Sequence, residues 1–259
     1  MRIGRAAGVT DTGRRRLRNE DAFICEPPLF AVADGMGGAR AGEVAARLAA
    51  GVLEEAGVET KGEQGVTAMI IEANRRIWER ALADPATAGM GTTVTAALVD
   101  TDSGAVAIGH VGDSRAYLRR GRTLTQLTTD HSIVGQMIAS GQLTPEEGRS
   151  YEHSNVLLQA LGVQPVIQPE LLVVSLRAGD VVLLCSDGLT GPLEDPRILE
   201  LMLKYQDPVR CCRALTEAAC AAGGPDNVTV AVGRFVGEGL QIPQGREPVG
   251  IRRSAHTLQ

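Results

Sequence analysis

Five aspartates lie at the ends of apolar segments or in tight glycine-bearing loops: Asp21, Asp34, Asp113, Asp187 and Asp226. A carboxylate that follows a buried strand is costly unless its charge is compensated, and Mg²⁺ or Mn²⁺ prefers such oxygen ligands. Glycine after Asp34 and Asp187 lets the backbone approach closely and can expose a carbonyl as a further ligand. One Asp-Gly pair is a common tight turn, so the whole set, not any single member, indicates a metal site.

Other catalytic or metal-binding side chains form no competing pattern. The four histidines are not spaced as zinc ligands, and the five cysteines are an odd number without CxxC spacing. Cys185 closes the apolar run 181–185, which predicts a buried side chain and not a nucleophile. Hard, oxygen-ligated cations are therefore favoured over zinc or thiol chemistry.

The elements that must position these aspartates alternate between runs of strands and pairs of helices. Residues 3–9 and 22–33 are predicted as strands forming a hairpin, and 43–56 and 64–82 as two amphipathic helices. Single crossover helices are not indicated, so we predict an α+β fold of mainly antiparallel sheets with helices packed outside. After residue 236 the glycines and prolines predict a flexible C-terminal tail over 237–259.

Composition excludes several classes of protein. A net charge of -5 and a pI near 5.5 argue against nucleic-acid binding, which needs a basic face. The apolar runs are strand-sized, well short of the roughly 20 residues of a membrane-spanning helix. The N-terminus lacks the apolar stretch of a secretory signal, so we expect a cytoplasmic location.

Six motifs in order resemble those of metal-dependent serine/threonine phosphatases of type 2C. They are Arg16-Leu17-Arg18-Asn19-Glu20-Asp21, Asp34-Gly35-Met36-Gly37-Gly38, Gly91-Thr92-Thr93, Gly109-His110-Val111-Gly112-Asp113-Ser114-Arg115, Ser186-Asp187-Gly188-Leu189 and Asp226-Asn227-Val228-Thr229. Each motif alone is weak, but six in the correct order are highly specific. The resemblance covers about residues 1–236, the expected catalytic domain.

This resemblance implies a central β-sandwich of two mainly antiparallel sheets flanked by pairs of helices, with a cluster of Mn²⁺ or Mg²⁺ ions at one end. It implies that Asp34 bridges two core ions, that the Gly35 carbonyl binds one of them, and that Asp187 and Asp226 complete the site. Asp21 would act mostly through water, and Asp113, with Asp187, would hold a third, weaker ion.

The implied reaction is hydrolysis of phosphoserine and phosphothreonine by direct attack of metal-activated water. Arg16 matches the arginine that binds the substrate phosphate, a role suited to its planar fork of donors. Animal-type relatives carry a histidine where this chain has Met36, so the general acid is unassigned. Water bound to the metal, His131 or His153 remain alternatives.

Further expectations concern substrate choice and partners. Residues 130–162 resemble the mobile flap of bacterial members, although a static surface connection is the alternative. The resemblance implies phosphorylated proteins as substrates, a bacterial eukaryotic-like serine/threonine kinase as the opposing enzyme, and a monomer. Two other readings stay open: a catalytically silent domain acting as a regulatory binding module, and a phosphatase for small phosphate esters.

Overall fold

The chain folds as two antiparallel β-sheets packed face to face. The structure, a computed structural model, describes residues 2–37, 41–57, 60–151, 156–236, 240 and 249–254. The first sheet has the strand order β1-β11-β10-β7-β8. Its strands are β1 (Arg2–Asp11), β7 (Arg115–Arg120), β8 (Thr123–Gln126), β10 (Val181–Cys185) and β11 (Val228–Val236).

The second sheet has the order β12-β9-β6-β5-β3-β2, and the two-residue strand β4 pairs with β3 beside this path. Its strands are β2 (Asp21–Glu26), β3 (Leu29–Met36), β4 (Gly91–Thr92), β5 (Val94–Asp100), β6 (Ala105–Val111), β9 (Glu170–Ser175) and β12 (Ile251–Ser254). The hairpin predicted between residues 3–9 and 22–33 is wrong. Residues 22–33 themselves contain the hairpin of β2 and β3, whereas β1 pairs with β11 in the other sheet.

Helices cover both outer faces of the sandwich or connect its strands. They are α1 (Ala41–Gly57), α2 (Gly62–Ala83), α3 (Ile133–Ala139), α4 (Pro145–Arg149), α5 (Asp187–Thr190), α6 (Asp195–Lys204) and α7 (Pro208–Ala221), with a short 3-10 turn at Pro85–Thr87. Buried Val66, Met69, Ile70, Ala73 and Ile77 form one stripe along α2, as its spacing predicts. No described helix is long and apolar enough to cross a membrane.

Alternation along the strands divides the apolar interior into three layers. In β10, Val182 and Leu184 pack between the sheets, while Val181, Leu183 and Cys185 face α6 and α7. Successive side chains of a strand point to opposite faces, so a strand covered on both sides is apolar throughout. A third cluster lies between the second sheet and α1 and α2. The predicted α-β-β-α arrangement is confirmed.

The C-terminal segment departs from the sequence prediction. Residues 251–254, predicted as part of a flexible tail, form β12 and pair with β9. The side chains of Arg252 and Ser254 bond to Glu63 on α2, and Arg253 donates to the Leu127 carbonyl. Pairing satisfies the backbone groups of β9 that would otherwise form an open sheet edge. The prediction of flexibility is therefore wrong for these four residues.

Candidate metal and phosphate site

The five predicted aspartates meet at one end of the sandwich because antiparallel pairing brings their strand ends together. Asp21 at the start of β2 lies directly opposite Asp34 in β3. Asp187 opens α5 immediately after β10, and Asp226 precedes β11, the neighbour of β10. Asp113 lies in the connection between β6 and β7. Residues that are far apart in sequence thus converge on one small volume.

Burial of these carboxylates is the main electrostatic feature of the site. Loss of hydration, together with the smaller effects of the Asp187 and Asp226 charges, raises the pKa of Asp21 to about 7, even though hydrogen bonds from Thr229 and Ser186 lower it. Burial, followed by the charge of Asp187, likewise raises the pKa of Asp113 to about 7. The protein holds the carboxylates together against their mutual repulsion, which favours a compensating cation.

The pKa of Asp34 is raised well above its usual range, first by burial and then by four neighbouring aspartates: Asp21, Asp187, Asp113 and Asp226. Burial, followed by the charge of Asp226, also raises the pKa of Asp187, while its interaction with Asp34 lowers it. One proton shared between two buried carboxylates is the expected arrangement where no cation offsets the charge.

Two oxygen atoms in this cluster are buried without a hydrogen-bond partner, Oδ1 of Asp21 and Oδ1 of Asp187. The other oxygen of Asp21 accepts hydrogen bonds from Ser186 Oγ at 2.9 Å and Thr229 Oγ1 at 2.6 Å. Buried polar atoms are almost always paired, so orphaned carboxylate oxygens mark places where a ligand belongs. Together with the all-oxygen donor set, they fit Mg²⁺ or Mn²⁺.

Arg16 lies at the rim of the cluster, where its side chain is 56% exposed. Its Nη2 donates to Asp226 Oδ2 at 2.6 Å, and this bond is the main cause of the raised pKa of Arg16. Asp226 therefore fixes the guanidinium beside the carboxylates and leaves most of its donors free for an anion. The structure thus brings Arg16 to the metal-site candidates, and its predicted role in binding phosphate stays a prediction.

Gly35 lies in β3 next to Asp34, where space is limited by backbone on two sides. A Cβ there would lie 2.2 Å from the Gly42 carbonyl oxygen and 2.5 Å from that of Glu20. The glycine is therefore required by close packing between β3, α1 and the chain before β2. Its predicted role as a carbonyl ligand stays a prediction.

One positioning residue, Asn227, escaped the residue-by-residue reading of the sequence. Asn227 donates to the carbonyls of Thr12 and Arg18 at 2.9 and 2.8 Å, and its Oδ1 accepts from Glu20 N at 2.8 Å. It thereby ties the Arg16 loop to the start of β11. Its presence in the Asp226-Asn227-Val228-Thr229 motif was the available signal, but only the fold shows what this amide joins.

The two histidines near the cleft are built into the fold. His110 is fully buried, and burial lowers its pKa to about 3, while its ring nitrogens contact Thr95 Oγ1 and the Thr129 carbonyl. His131 packs against it with ring centroids 4.8 Å apart, and burial lowers its pKa. Both are therefore neutral side chains near pH 7. His153, the other proposed acid, lies outside the described residues.

His110 and His131 also form, with Glu170, a group whose possible ligand atoms lie within 4.8 Å of one another. Glu170 already accepts from the Thr129 N–H at 2.7 Å and pairs with Arg253. His110 has the hydrogen bonds given above, and His131 Nδ1 accepts from the Gly112 N–H at 3.4 Å, so each of the three residues has a protein partner. The group therefore fits a structural hydrogen-bond network better than a second metal centre.

The predicted flap contains α3 and α4, each with a defined N-cap. Ser132 caps α3 through the Gly135 N–H, and Thr144 and Glu147 form a capping box on α4. Isolated bridges join Ser132 to Leu157 and Thr92 to Leu161, so both ends are attached to the rest of the fold. Residues 152–155 lie outside the described part, and the mobility of the flap stays a prediction.

Comparison with known proteins agrees with this geometry. The protein phosphatase 2C family matches residues 13–219. The serine/threonine protein phosphatase PstP of Mycobacterium tuberculosis is 39% identical over 235 residues, which are 90% of this chain and 45% of PstP. The chain thus spans less than half the length of that relative. The serine/threonine phosphatase stp of Listeria monocytogenes is 36% identical over 233 residues, covering 85% of this chain and 92% of that protein.

A solved structure shares both the fold and the sequence. The crystal structure of the PstP catalytic domain in complex with two manganese ions superposes with a TM-score of 0.83 at 38% identity. The match covers 90% of this chain and 98% of that one. The family match over most of the chain, the relatives above 30% identity and the shared fold agree. This chain belongs to the protein phosphatase 2C family.

Proposed function

We propose that this chain is a metal-dependent protein serine/threonine phosphatase that hydrolyses phosphoserine and phosphothreonine by direct attack of an activated water. The observation that carries the proposal is the cluster of buried carboxylates with two orphaned oxygens, beside the half-exposed Arg16. This arrangement offers cation ligands and an anion-binding donor next to each other. Metal-assisted hydrolysis of a phosphate ester uses both.

The proposed ligands of two core ions are Asp34, the Gly35 carbonyl, Asp187 and Asp226, with Asp21 acting mainly through water. Asp113 and Asp187 would hold a third, weaker ion. The PstP catalytic domain, which is similar in fold, was crystallised with two manganese ions. When bound, Mn²⁺ or Mg²⁺ supplies Lewis-acid chemistry, lowering the pKa of water and offsetting charge on phosphoryl oxygens.

The residues of the chain contribute binding and orientation. Arg16, held by Asp226 at 2.6 Å, can donate two parallel hydrogen bonds to a phosphate at the mouth of the cluster. Ser186 and Thr229 fix one oxygen of Asp21 and leave the other directed to a ligand. Such supporting hydrogen bonds set ligand orientation and affinity.

Protonation of the leaving oxygen is proposed to come from water. His110 and His131 are unsuited to the task, because burial lowers the pKa of each and their rings pack against each other. Met36, which replaces the histidine of animal-type relatives, has no proton to give. A covalent phosphoenzyme on Cys185 is not expected, because this thiol is buried and its pKa is raised to about 12, so it is not a thiolate nucleophile near pH 7.

Neither alternative reading is favoured by the site. A catalytically silent module would not need buried carboxylates that repel one another, and the relatives are named as phosphatases. Activity on small esters remains compatible with an open cleft but does not exclude protein substrates. We further propose phosphorylated proteins as substrates, an opposing serine/threonine kinase, and a monomeric enzyme in the cytoplasm.

The test measures phosphate release from a phosphothreonine peptide with Mn²⁺, Mg²⁺ or a chelator. Asp187→Asn should abolish the metal-dependent release, because an amide is a poor ligand at a core position, while the side-chain volume is kept. The exposed aspartate variant Asp102→Asn, on the connection after β5, is the matched control and should retain wild-type release. Folded wild-type protein that releases no phosphate with either metal would overturn the proposal.

A further inference from the structure

An apolar cavity opens beside the end of β3, the strand that carries Asp34. It has a volume of about 380 Å³ and is lined by Met36 and by side chains from residues 157–168, among them Leu158, Val163, Val166 and Ile167. Its polar lining side chains are the amides Gln159, Gln164 and Gln168, and no charged side chain lines it. The cavity thus differs in character from the acidic cluster.

The cavity wall continues directly from the strand that carries Asp34. Met36 follows Asp34 by two positions in β3, so the two side chains lie on the same face of the strand, roughly 7 Å apart. Met36 also lies close to Val163, which lines the cavity from the segment 157–168. A Cβ placed on Gly91 would lie 3.3 Å from Met36 Cε and 3.1 Å from Val163 Cγ2, so both side chains meet at this glycine. A molecule bound at the carboxylates would therefore be within about two peptide residues of the cavity.

Hydrogen bonds through Thr92 connect the segment 157–168 to β3. Thr92 Oγ1 donates to the Asp34 carbonyl at 2.9 Å. Thr92 also exchanges two backbone hydrogen bonds with Leu161, at 3.1 and 2.8 Å. The segment that lines the cavity is thereby held in register with the candidate catalytic centre.

Exposed apolar side chains concentrate on this segment. Of nine large hydrophobic residues exposed in the described part of the chain, four lie between positions 156 and 166, with exposures of 44% to 64%. They are Val156, Leu158, Val163 and Val166. Exposed apolar groups gathered around a concave surface next to a reactive site are typical of ligand recognition.

We propose that this cavity binds an apolar side chain of the phosphoprotein substrate, located within two positions of the phosphorylated residue. The inference rests on the proposed phosphatase function and adds a sequence preference to it. The absence of charge from the lining favours a leucine-like side chain over an acidic or basic one, because a buried charge would find no partner. The phosphate itself would be held at Arg16 and the carboxylate cluster.

The experiment compares phosphothreonine peptides that carry either leucine or its polar isostere asparagine at each position within two residues of the phosphothreonine. With Mn²⁺, kcat/KM should favour leucine over asparagine by at least about fivefold at one of these positions, as expected for an apolar pocket. Hydrolysis of p-nitrophenyl phosphate, which has no peptide, reports the chemistry independently.

The double variant Val163→Ser/Val166→Ser makes the cavity polar at two exposed side chains and should reduce the preference to less than about twofold. Its activity on p-nitrophenyl phosphate should stay at the wild-type level. Val209→Ser on α7, where Val209 is 44% exposed and lies outside the cavity lining, is the matched control and should keep the preference.

The possible failures are distinguishable. Equal kcat/KM for leucine and asparagine peptides at every position, with p-nitrophenyl phosphate hydrolysed, would overturn the cavity assignment alone. A preference that persists unchanged in the double variant would also overturn it, by placing recognition elsewhere. Loss of hydrolysis of both substrate types by the wild-type protein would instead overturn the phosphatase proposal.

Discussion

Replacement of Asp21 by asparagine should stabilise the metal-free protein, and the gain should grow with pH. Asp21 is buried at the cluster, and its pKa is raised from 3.8 to about 7, chiefly by loss of hydration. Between these two pH values the unfolded chain has released this proton while the folded protein retains it. The contribution of Asp21 to stability is therefore intact below pH 3.8 and is lost as the pH rises to about 7.

The rise in the pKa of Asp21 sets the size of the pH effect on the free energy of unfolding. At about 1.4 kcal/mol per pH unit, wild type should lose about 2 to 3 kcal/mol from this residue between pH 5 and pH 8, because its ionisation is complete near pH 7. Asparagine does not titrate, so the stability difference between variant and wild type should widen by this amount. The hydrogen bonds from Ser186 and Thr229 change with the substitution at both pH values and largely cancel in the comparison.

Urea denaturation in a chelator at pH 5 and pH 8 would measure the difference, with Asp102→Asn as a surface control at 81% exposure. With Mn²⁺ at 100 times the wild-type Kd, the stability difference should shrink, because binding stabilises wild type by about 2.7 kcal/mol and the variant by less. A stability difference that is the same at both pH values in chelator would refute the argument that burial opposes the charge on Asp21.

Three other substitutions test neighbouring features. Arg16→Lys should lower kcat/KM for phosphopeptides about tenfold, because one ammonium cannot both bond Asp226 and hold a phosphate in a bidentate manner, and steady-state kinetics would show it. Asp180→Ala should reduce the free energy of unfolding by about 3 to 5 kcal/mol, because it leaves the buried Arg120 charge unpaired. Urea denaturation would measure this loss, and the Mn²⁺ requirement for activity should not change. Gly188→Ala should destabilise the folded protein by about 3 kcal/mol or more, because the added Cβ would lie 1.8 Å from the Asn227 carbonyl oxygen. A variant that melts at the wild-type temperature would contradict this.

Much of the architecture was predictable because it follows from local patterns. The apolar period along α2 and the continuous apolar run of β10 both indicated their elements and their burial. The predicted site residues could be named because they lie in loops or near strand ends within an ordered set of motifs. Their convergence depends on strand pairing, such as Asp21 opposite Asp34, which a single sequence does not display.

Other features were not predictable because their cause lies in long-range contacts. The four residues of β12 have no strand signal that outweighs the glycines and prolines before them, and their pairing depends on the open edge of β9. The cavity beside Met36 likewise needs residues separated by more than 100 positions to meet. In the sequence, Met36 was recognised only as the replacement for a histidine, whereas the structure gives its neighbours.

The pairing of β12 with β9 bears on how the chain can be shortened. A recombinant fragment ending after Val236, where the family resemblance ends, would leave Glu170–Ser175 as the outer strand of its sheet. It would also remove two side chains that bond to Glu63 on α2, those of Arg252 and Ser254. Uncovered strand edges template association with other chains, so such a fragment would self-associate more readily than one ending at Ser254. Domain boundaries drawn from motif coverage alone would therefore cut away a strand of the sandwich.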